Sequence, residues 1–242
     1  MIFEEPLIRG TLRRRYQRFF AEVTLDTGET VVAHCANPGS MLSVNSAGSE
    51  VWLSVARNPS RRLRYTWELI RVGGTLVGVN TAWPNRLVAD AIAGGAIAEL
   101  RGYAAIRREV KYGRNSRIDL LLEGPDRPPC FVEIKNVTLR RDSRPDAPVE
   151  FPDCVTERGA RHARELAQVA RNGARAVMLF LAQRDDANHF VIADDIDRAY
   201  GEALRDAMTI GVEAICYRCR VSVAGISLRD RLPLSANHRS QE

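Results

Sequence analysis

Through the first third of the chain, apolar and polar residues alternate one by one, and helical spacing appears only after residue 82. In FFAEVTL (19–25), Phe19, Ala21, Val23 and Leu25 share one face, the two-residue period of a half-buried strand. Asp26-Thr27-Gly28 is a turn signal and TVVAHC (30–35) alternates again, so these runs predict a hairpin. Asn37-Pro38-Gly39 is a loop; EVWLSVA (50–56), RYTWELIRV (64–72) and TLVGVNT (75–81) follow as strands, with Gly73-Gly74 between the last two. Five short strands without a long helix predict an all-β first domain over residues 1–82. An OB-like five-stranded barrel is the natural candidate, and a β-sandwich fragment is its rival.

Past Trp83-Pro84-Asn85 the pattern becomes mixed α/β, so residues 83–242 are expected to form a second domain. Residues 86–100 read as a helix through Leu87, Ala91 and Ile92, loosened at Gly94-Gly95. IRREVKYG (106–113), RIDLLLE (117–123) and CFVEIKNVTL (130–139) are predicted strands, the last two joined by a Pro/Gly turn. Residues 155–172 predict an amphipathic helix with Gly159, Ala163, Leu166 and Ala170 on one face and Arg158, Arg161, His162, Arg164, Glu165 and Gln168 on the other. AVMLFLAQ (176–183) is the continuous apolar run of a buried strand. FVIA (190–193), a helix near 195–210 and GVEAICY (211–217) complete the α/β core, and the last seven residues, ANHRSQE, read as a disordered tail.

Composition refines this picture. At 45% hydrophobic and 27% charged over 242 residues, the chain resembles an ordinary globular protein. No apolar run approaches the ~18 residues that span a bilayer, and MIFEEPLIRG has no apolar signal core. A cytoplasmic address without a membrane partner is therefore expected. Five cysteines at irregular spacings point to reduced thiols. Cys216 and Cys219 form a C-x-x-C, but no second ligand pair exists for zinc, and the motif lies in a strand-like run. Both are read as core or surface cysteines.

The formal charge is +5, which points weakly to a polyanionic partner. Distribution says more: Arg9, Arg13, Arg14, Arg15 and Arg18 crowd one region, and Arg57, Arg61, Arg62 and Arg64 another. Tyr16, Phe19, Phe20, Trp52, Tyr65 and Trp67 interleave with them. Arginine for phosphates beside aromatics for bases is the pattern of single-stranded nucleic-acid binding, with Arg13, Arg15, Tyr16, Arg18, Arg61 and Arg64 as the candidate contacts. A solvated β-surface over an aromatic core gives the same pattern. Of 35 basic residues only Lys111 and Lys135 are lysine, so a lysine here asks for a reason. Lysine offers a compact point charge that arginine cannot match.

Lys135 stands two residues after Glu133, which in a strand puts both on one face and turns Ile134 to the other. Asp119 lies on the preceding strand and sits opposite Glu133 if the register allows. Two carboxylates that close repel one another and invite a divalent cation. Oxygen ligands with retained waters suit Mg2+ or Mn2+, and the Ile134 carbonyl adds an oxygen. Such an ion polarises a phosphoryl oxygen, and Lys135 would orient water or stabilise developing charge, the parts of phosphodiester hydrolysis. Arg114, Arg117, Arg140, Arg141, Arg158 and His162 supply donors for a nucleic-acid backbone. A surface ion pair on a hairpin has the same spacing, so the pattern alone leaves both readings open.

Strand, turn and strand carrying D…ExK, then helix and strand, resemble the PD-(D/E)xK nuclease superfamily. The longer strings PLIRGTLRRRYQRFFAEV, AHCANPGSM, YTWELI, NSRIDLLLE, VEIKNVTL, FPDCVTERGARHARELAQVA and RAVMLFLAQRDD resemble the sugar fermentation stimulation protein A (SfsA) family, from about residue 3 to residue 233. The resemblance implies an OB-like domain followed by a restriction-endonuclease-like α/β domain. It places the metal acids at Asp119 and Glu133 and the catalytic lysine at Lys135, with Ile118-Asp119 where the superfamily writes PD. A further superfamily acid usually comes from the helix before the first strand; Glu99 is the first candidate and Glu109 the second. Two functions follow as expectations. One is a Mg2+- or Mn2+-dependent nuclease acting on DNA or RNA, its barrel gripping a single strand. The other, implied by the family name, is a non-catalytic DNA-binding regulator of sugar (maltose) metabolism. A homodimer is compatible with either, since many nuclease-like domains pair.

Overall fold

The computed structural model describes residues 1–112 and 116–235. Its N-terminal sheet contains β1 (Ile8–Tyr16), β2 (Phe20–Leu25), β3 (Thr30–His34), β4 (Glu50–Val55), β5 (Tyr65–Val72) and β6 (Thr75–Gly78). The order is β3-β2-β1-β4-β5-β6, and a parallel pairing of β3 with β5 closes the sheet on itself. The closed ring thus has the five strands expected, but not the same five. Ile8–Tyr16 is its first strand, and the run at 75–81 supplies β6, hairpinned onto β5 outside the ring. The reason is charge: β1 reads IRGTLRRRY and buries only Gly10 and Leu12, so its period is hidden among arginines. Leu12, Val23, Ala33, Val51, Leu53, Trp67 and Ile70 fill the barrel.

The second unit runs α1 (Pro84–Ala93), a 3-10 turn (Ala98–Leu100), β7 (Ala105–Tyr112), β8 (Ser116–Glu123), β9 (Cys130–Val137), β10 (Val149–Phe151), α2 (Glu157–Arg171), β11 (Arg175–Ala182), β12 (Phe190–Ile192), α3 (Arg198–Ile210), β13 (Glu213–Ser222) and β14 (Gly225–Leu232). Its main sheet has the order β14-β13-β11-β9-β8-β7, parallel across β9, β11 and β13 and antiparallel toward both edges. The predicted helix 86–100 stops early: Gly94 caps α1, and Gly95 turns the chain at φ +69. The sequence pattern does not predict strand β14, because GISLRDRL buries only Ile226 and Leu232 at a sheet edge.

Helices α2 and α3 cover one face of this sheet, over Ile118, Val137, Met178 and Phe180. Helix α1 covers the other, over Leu120, Leu122, Val132 and Ile134. Strand β11 is covered on both faces, which is why its sequence does not alternate. Each buried leucine or phenylalanine here contributes about 2 kcal/mol. A Cβ at Gly159 would come within 3.0 Å of the Tyr200 ring, so glycine lets α2 approach α3 and turn His162 toward the sheet. Cys216 and Cys219 lie in opposite cores of β13, each buried, and burial pushes both thiols up, Cys219 to about 12. They cannot act as a pair. No helix among the described residues is long and apolar enough to cross a membrane.

The barrel is packed onto the second unit. Trp52 and Leu69 join the core beneath α1. Gly78 donates its N–H to the Gln183 carbonyl at 2.8 Å, an approach that a side chain at residue 78 would block. Asp153 accepts from Ser40 Oγ at 3.0 Å and from the Met41 N–H at 2.9 Å. Buried Glu68 on β5 accepts from Ser54 Oγ (2.7 Å), Asn80 Nδ2 (2.9 Å) and Trp83 Nε1 (2.7 Å), which ties the barrel wall to the connecting segment. Glu68→Ala leaves these donors without their acceptor and should cost about 3 kcal/mol. Urea unfolding followed by tryptophan fluorescence measures the loss, and an unchanged midpoint would refute this role.

Candidate active site

Strands β8 and β9 pair Leu122 with Cys130, Leu121 with Phe131 and Leu120 with Val132. One step further the register sets Asp119 opposite Glu133, and there the ladder stops. The Ile134 N–H donates to Asp119 Oδ2 at 2.7 Å, so a side chain takes the place of a main-chain acceptor. The strands also turn over at this level. Leu120 and Leu122 lie in the α1-side core, whereas Ile118, of the same parity, lies in the α2–α3 core. Strand β7 behaves alike, with Ile106 against the first core and Val110 and Tyr112 against the second. Between them Glu109 holds φ +53, a conformation that persists in non-glycine residues only when its surroundings enforce it. The β7–β8 register sets Glu109 opposite Asp119. Glu109, Asp119 and Glu133 therefore form a row across three neighbouring strands. Asn85, in the first turn of α1, donates to Asp119 Oδ1 at 2.9 Å and to Glu109 Oε1 at 3.4 Å.

Glu133 is buried, at 3% exposure. Its Oε1 accepts from Lys135 Nζ at 2.8 Å and contacts His162 Nδ1. Arg158 Nε donates to His162 Nε2 at 3.3 Å. That bond makes Nε2 the acceptor, so the ring carries its proton on Nδ1 and donates it to Glu133. Burial pushes the Glu133 carboxyl up, but the hydrogen bonds from His162 and Lys135 and the charge of Lys135 outweigh it, and the group lies below its ordinary value. Asp119 goes the other way. Burial, then repulsion from Glu133, raises it from 3.8 to about 6 against the bonds from Ile134 and Asn85. The two carboxyls are thus pushed apart, as in paired acid sites. Glu133 Oε2 is buried without a hydrogen-bond partner, and so is the Tyr112 hydroxyl, which burial and the charges of Glu133, Glu165 and Asp119 keep protonated. Among the described residues no group of three or more His, Cys, Asp or Glu side chains is arranged to hold a metal ion. An ion here would rest on two carboxylates, main chain and retained water.

The structure brings Asp119, Glu133, Ile134, Lys135 and His162 together, and Arg158 with them. It does not bring Glu99. That residue sits in the 3-10 turn and is held by Tyr217 Oη at 2.7 Å and Arg231 at 2.9 Å, toward the opposite edge of the sheet. The expectation failed because the chain turns at Gly94-Gly95 and carries Glu99 away; Asn85 is what α1 sends to Asp119. His162 is buried at 3%, so it braces Glu133 instead of reaching a phosphate. Arg140 is paired with Asp186, and Arg141 with Glu150 and Asp195. Arg117 is exposed on β8, while Arg114 lies outside the described residues.

The barrel candidates also divide. Arg15 spends its guanidinium on the carbonyls of Arg18, Asn37, Gly39 and Ser40, so it clamps a loop. Tyr16 stacks on Phe20 at 5.4 Å with Arg14 over its ring at 5.1 Å, leaving little face for a base. Arg13 bonds Thr24 and Arg61 bonds Thr66 through one nitrogen each, and Arg64 lies over the Tyr65 ring. Arg18 is exposed. Asn85 and Tyr112 were not singled out in the sequence. Their only local signals are a polar residue after a helix-opening proline and an aromatic at a strand end.

Comparison with known proteins agrees with this architecture. The family model described as the SfsA N-terminal OB domain matches residues 14–79, and that of the sugar fermentation stimulation protein RE domain matches residues 82–225. Sugar fermentation stimulation protein homologs from Rhodospirillum rubrum and Rhodospirillum centenum are 53% and 56% identical, each over 98% of this chain and 100% of their own length. The solved structure of Pyrococcus furiosus SfsA in complex with Ca2+ has a TM-score of 0.87 at 26% identity, covering 97% of this chain and 98% of that one.

The raised Asp119 carboxyl carries a pH signature. Folded Asp119 holds its proton more tightly than unfolded, so its stabilising contribution is full below pH 3.8 and lost as pH rises through about 6. That displacement corresponds to roughly 3 kcal/mol. In metal-free protein Asp119→Asn should therefore gain about 2 kcal/mol of stability above pH 6 and nothing in acid. Urea unfolding across pH measures this, and a gain that is the same at every pH would contradict the assignment.

Proposed function

Because this chain belongs to the SfsA family, and because its Asp119 and Glu133 meet where the β8–β9 ladder opens, we propose that it is a divalent-cation-dependent nuclease hydrolysing phosphodiester bonds in DNA or RNA. The observation that carries the reading is the buried, partnerless Glu133 Oε2 beside an Asp119 carboxyl raised by burial and then by repulsion. A buried acceptor of this kind calls for a cation or donor. Asp119, Glu133 and the Ile134 carbonyl would hold Mg2+ or Mn2+, hard ions that take few carboxylates and keep their waters. The Pyrococcus furiosus protein was solved in complex with Ca2+, itself a hard cation that takes oxygen ligands. When bound, the cation supplies Lewis acidity toward a phosphoryl oxygen.

The chain's own groups do the remaining work. His162 and Lys135 hold Glu133 charged, and Arg158 fixes the His162 tautomer. Lys135 sets a positive charge beside the acids, where negative charge develops on the phosphoryl oxygens in the transition state. Asn85 orients Asp119. Glu109, opposite Asp119, adds a third carboxylate toward solvent. On the barrel, Arg13, Arg18, Arg61 and Arg64 would track a single-stranded backbone. Five free cysteines suit a reducing cytoplasm.

The second reading, a DNA-binding regulator of sugar metabolism without turnover, rests on the family name. The acids weigh against it, because a pure binder gains nothing from carboxylates near phosphates. The test is incubation with labelled single- and double-stranded DNA and RNA, with and without Mg2+ or Mn2+. Metal-dependent cleavage is expected, reduced on the order of 10²–10³-fold or more in Asp119→Ala and Lys135→Ala. Binding without cleavage under either metal would select the regulator reading.

A further inference from the structure

Seven large apolar side chains are exposed among the described residues, and three of them fall on one rim: Phe19 (48%), Leu42 (45%) and Val155 (71%). They come from three segments that hydrogen bonds tie together. Phe19 leaves the β1–β2 turn, and its carbonyl accepts from the Cys35 N–H at 2.8 Å. Arg15 joins that turn to the 37–40 loop through the carbonyls of Arg18 and Ser40. Ser40 and Met41 bond Asp153, two residues before Val155. Arg18 lies close enough for its charge to act on the Cys154 thiol. Barrel and nuclease-like unit thus share one edge that is apolar at three points and basic beside them.

The backbone on this edge is unusual. Five non-glycine residues among those described have positive φ; Gln17, Arg18, Met41 and Ser43 belong to the rim segments, and Glu109 to the acid row. Such conformations concentrate where function requires them. The rim is also continuous with charge on both sides. Toward the barrel, His34 pairs with both Phe20 and Thr66, and Arg61 bonds Thr66. Toward the acids, Val155 precedes the Thr156 cap of α2, and His162 follows seven residues on, about 10 Å along the helix.

We propose that this rim is the platform on which unpaired bases of a single-stranded nucleic acid rest as the strand passes from the barrel arginines to the acid row, with Phe19 as the stacking ring. The proposal rests on the nucleic-acid reading above. Phosphates face Arg18, Arg61 and Arg158, and bases face Phe19, Leu42 and Val155, an arrangement that fits single strands because a duplex keeps its bases stacked inside. It moves the stacking role from Tyr16, whose ring is already stacked on Phe20, to a neighbour whose ring is free.

The test uses the full chain in EDTA, where binding is read without cleavage, by fluorescence anisotropy of short labelled single strands and of the matching duplex. The combined variant Phe19→Ala, Leu42→Ser, Val155→Ser should lose roughly tenfold or more in single-strand affinity. Duplex affinity should change little, and the melting temperature should stay unchanged because all three side chains are exposed. A control, Ile2→Ser with Val223→Ser, alters exposed apolar residues elsewhere and should bind as wild type. Wild-type single-strand affinity in the combined variant, or equal loss for single strand and duplex, overturns the proposal. A rim that instead joins two copies would lower the sedimentation coefficient of the variant and spare its single-strand binding, which also overturns it. Wild-type protein that binds no nucleic acid sinks the underlying reading as well. Specific binding without metal-dependent cleavage sinks the nuclease alone and leaves the rim standing.

Discussion

A buried main-chain amide cannot be left without an acceptor, and the second unit is organised around one such amide. Where β8 and β9 part, the Ile134 N–H loses its ladder partner, and Asp119 Oδ2 takes the bond at 2.7 Å. An unpaired N–H at that depth would cost on the order of 1–3 kcal/mol. The carboxylate therefore does structural work before any chemistry. It lets two strands separate inside a covered sheet, and the opening so made is where Glu133 and Lys135 point toward α2. Its neighbours follow from the same break. Strands β7 and β8 both change faces at this level, which brings Glu109, Asp119 and Glu133 into a row.

A charge as deep as Glu133 needs partners within reach, since breaking a buried pair costs several kcal/mol. They arrive from two directions. Lys135 comes from the same strand by the two-residue period. His162 comes from α2, and it reaches the sheet because Gly159 and Ala163 let that helix lie close against α3. Small residues in a helix thus bring a hydrogen-bond donor to a buried carboxylate on a strand. Glu68 plays a comparable part at the domain junction, where three donors converge on one buried acid.

What could be read from the sequence was what depends on local period. Glu133 and Lys135 share a face because any strand would put them there, whereas the place of Asp119 opposite Glu133 depends on a hairpin register that the sequence left open. The α/β order and the closed barrel were legible from local period as well. Contacts between distant segments were not. Asn85 meets Asp119 across 34 positions, and nothing near Asn85 announces it. Glu99 was assigned by assuming a helix that runs through Gly94-Gly95. Arg15 and Tyr16 look like ligand-binding residues in any scan of charge and aromaticity. Only the fold shows that one holds carbonyls and the other is covered by Phe20 and Arg14. Strand β1 was hidden by the same arginines.

The choice of lysine at residue 135 now has a physical account. The Nζ lies 2.8 Å from Glu133 Oε1 and 3.4 Å from His162 Nδ1, in a space shared by two other polar groups and largely closed to water. A single compact ammonium satisfies Oε1 and leaves Oε2 free. A guanidinium favours both carboxylate oxygens at once, as Arg141 does with Glu150 and Arg175 with Glu213 in this same chain. Arginine at 135 would tend to seal the oxygen whose openness makes the site a candidate for a cation. Lys111, the other lysine, stands exposed on β7 opposite Arg117, where either cation would serve. In a chain that otherwise writes arginine, the departure that carries a constraint is the one beside Glu133.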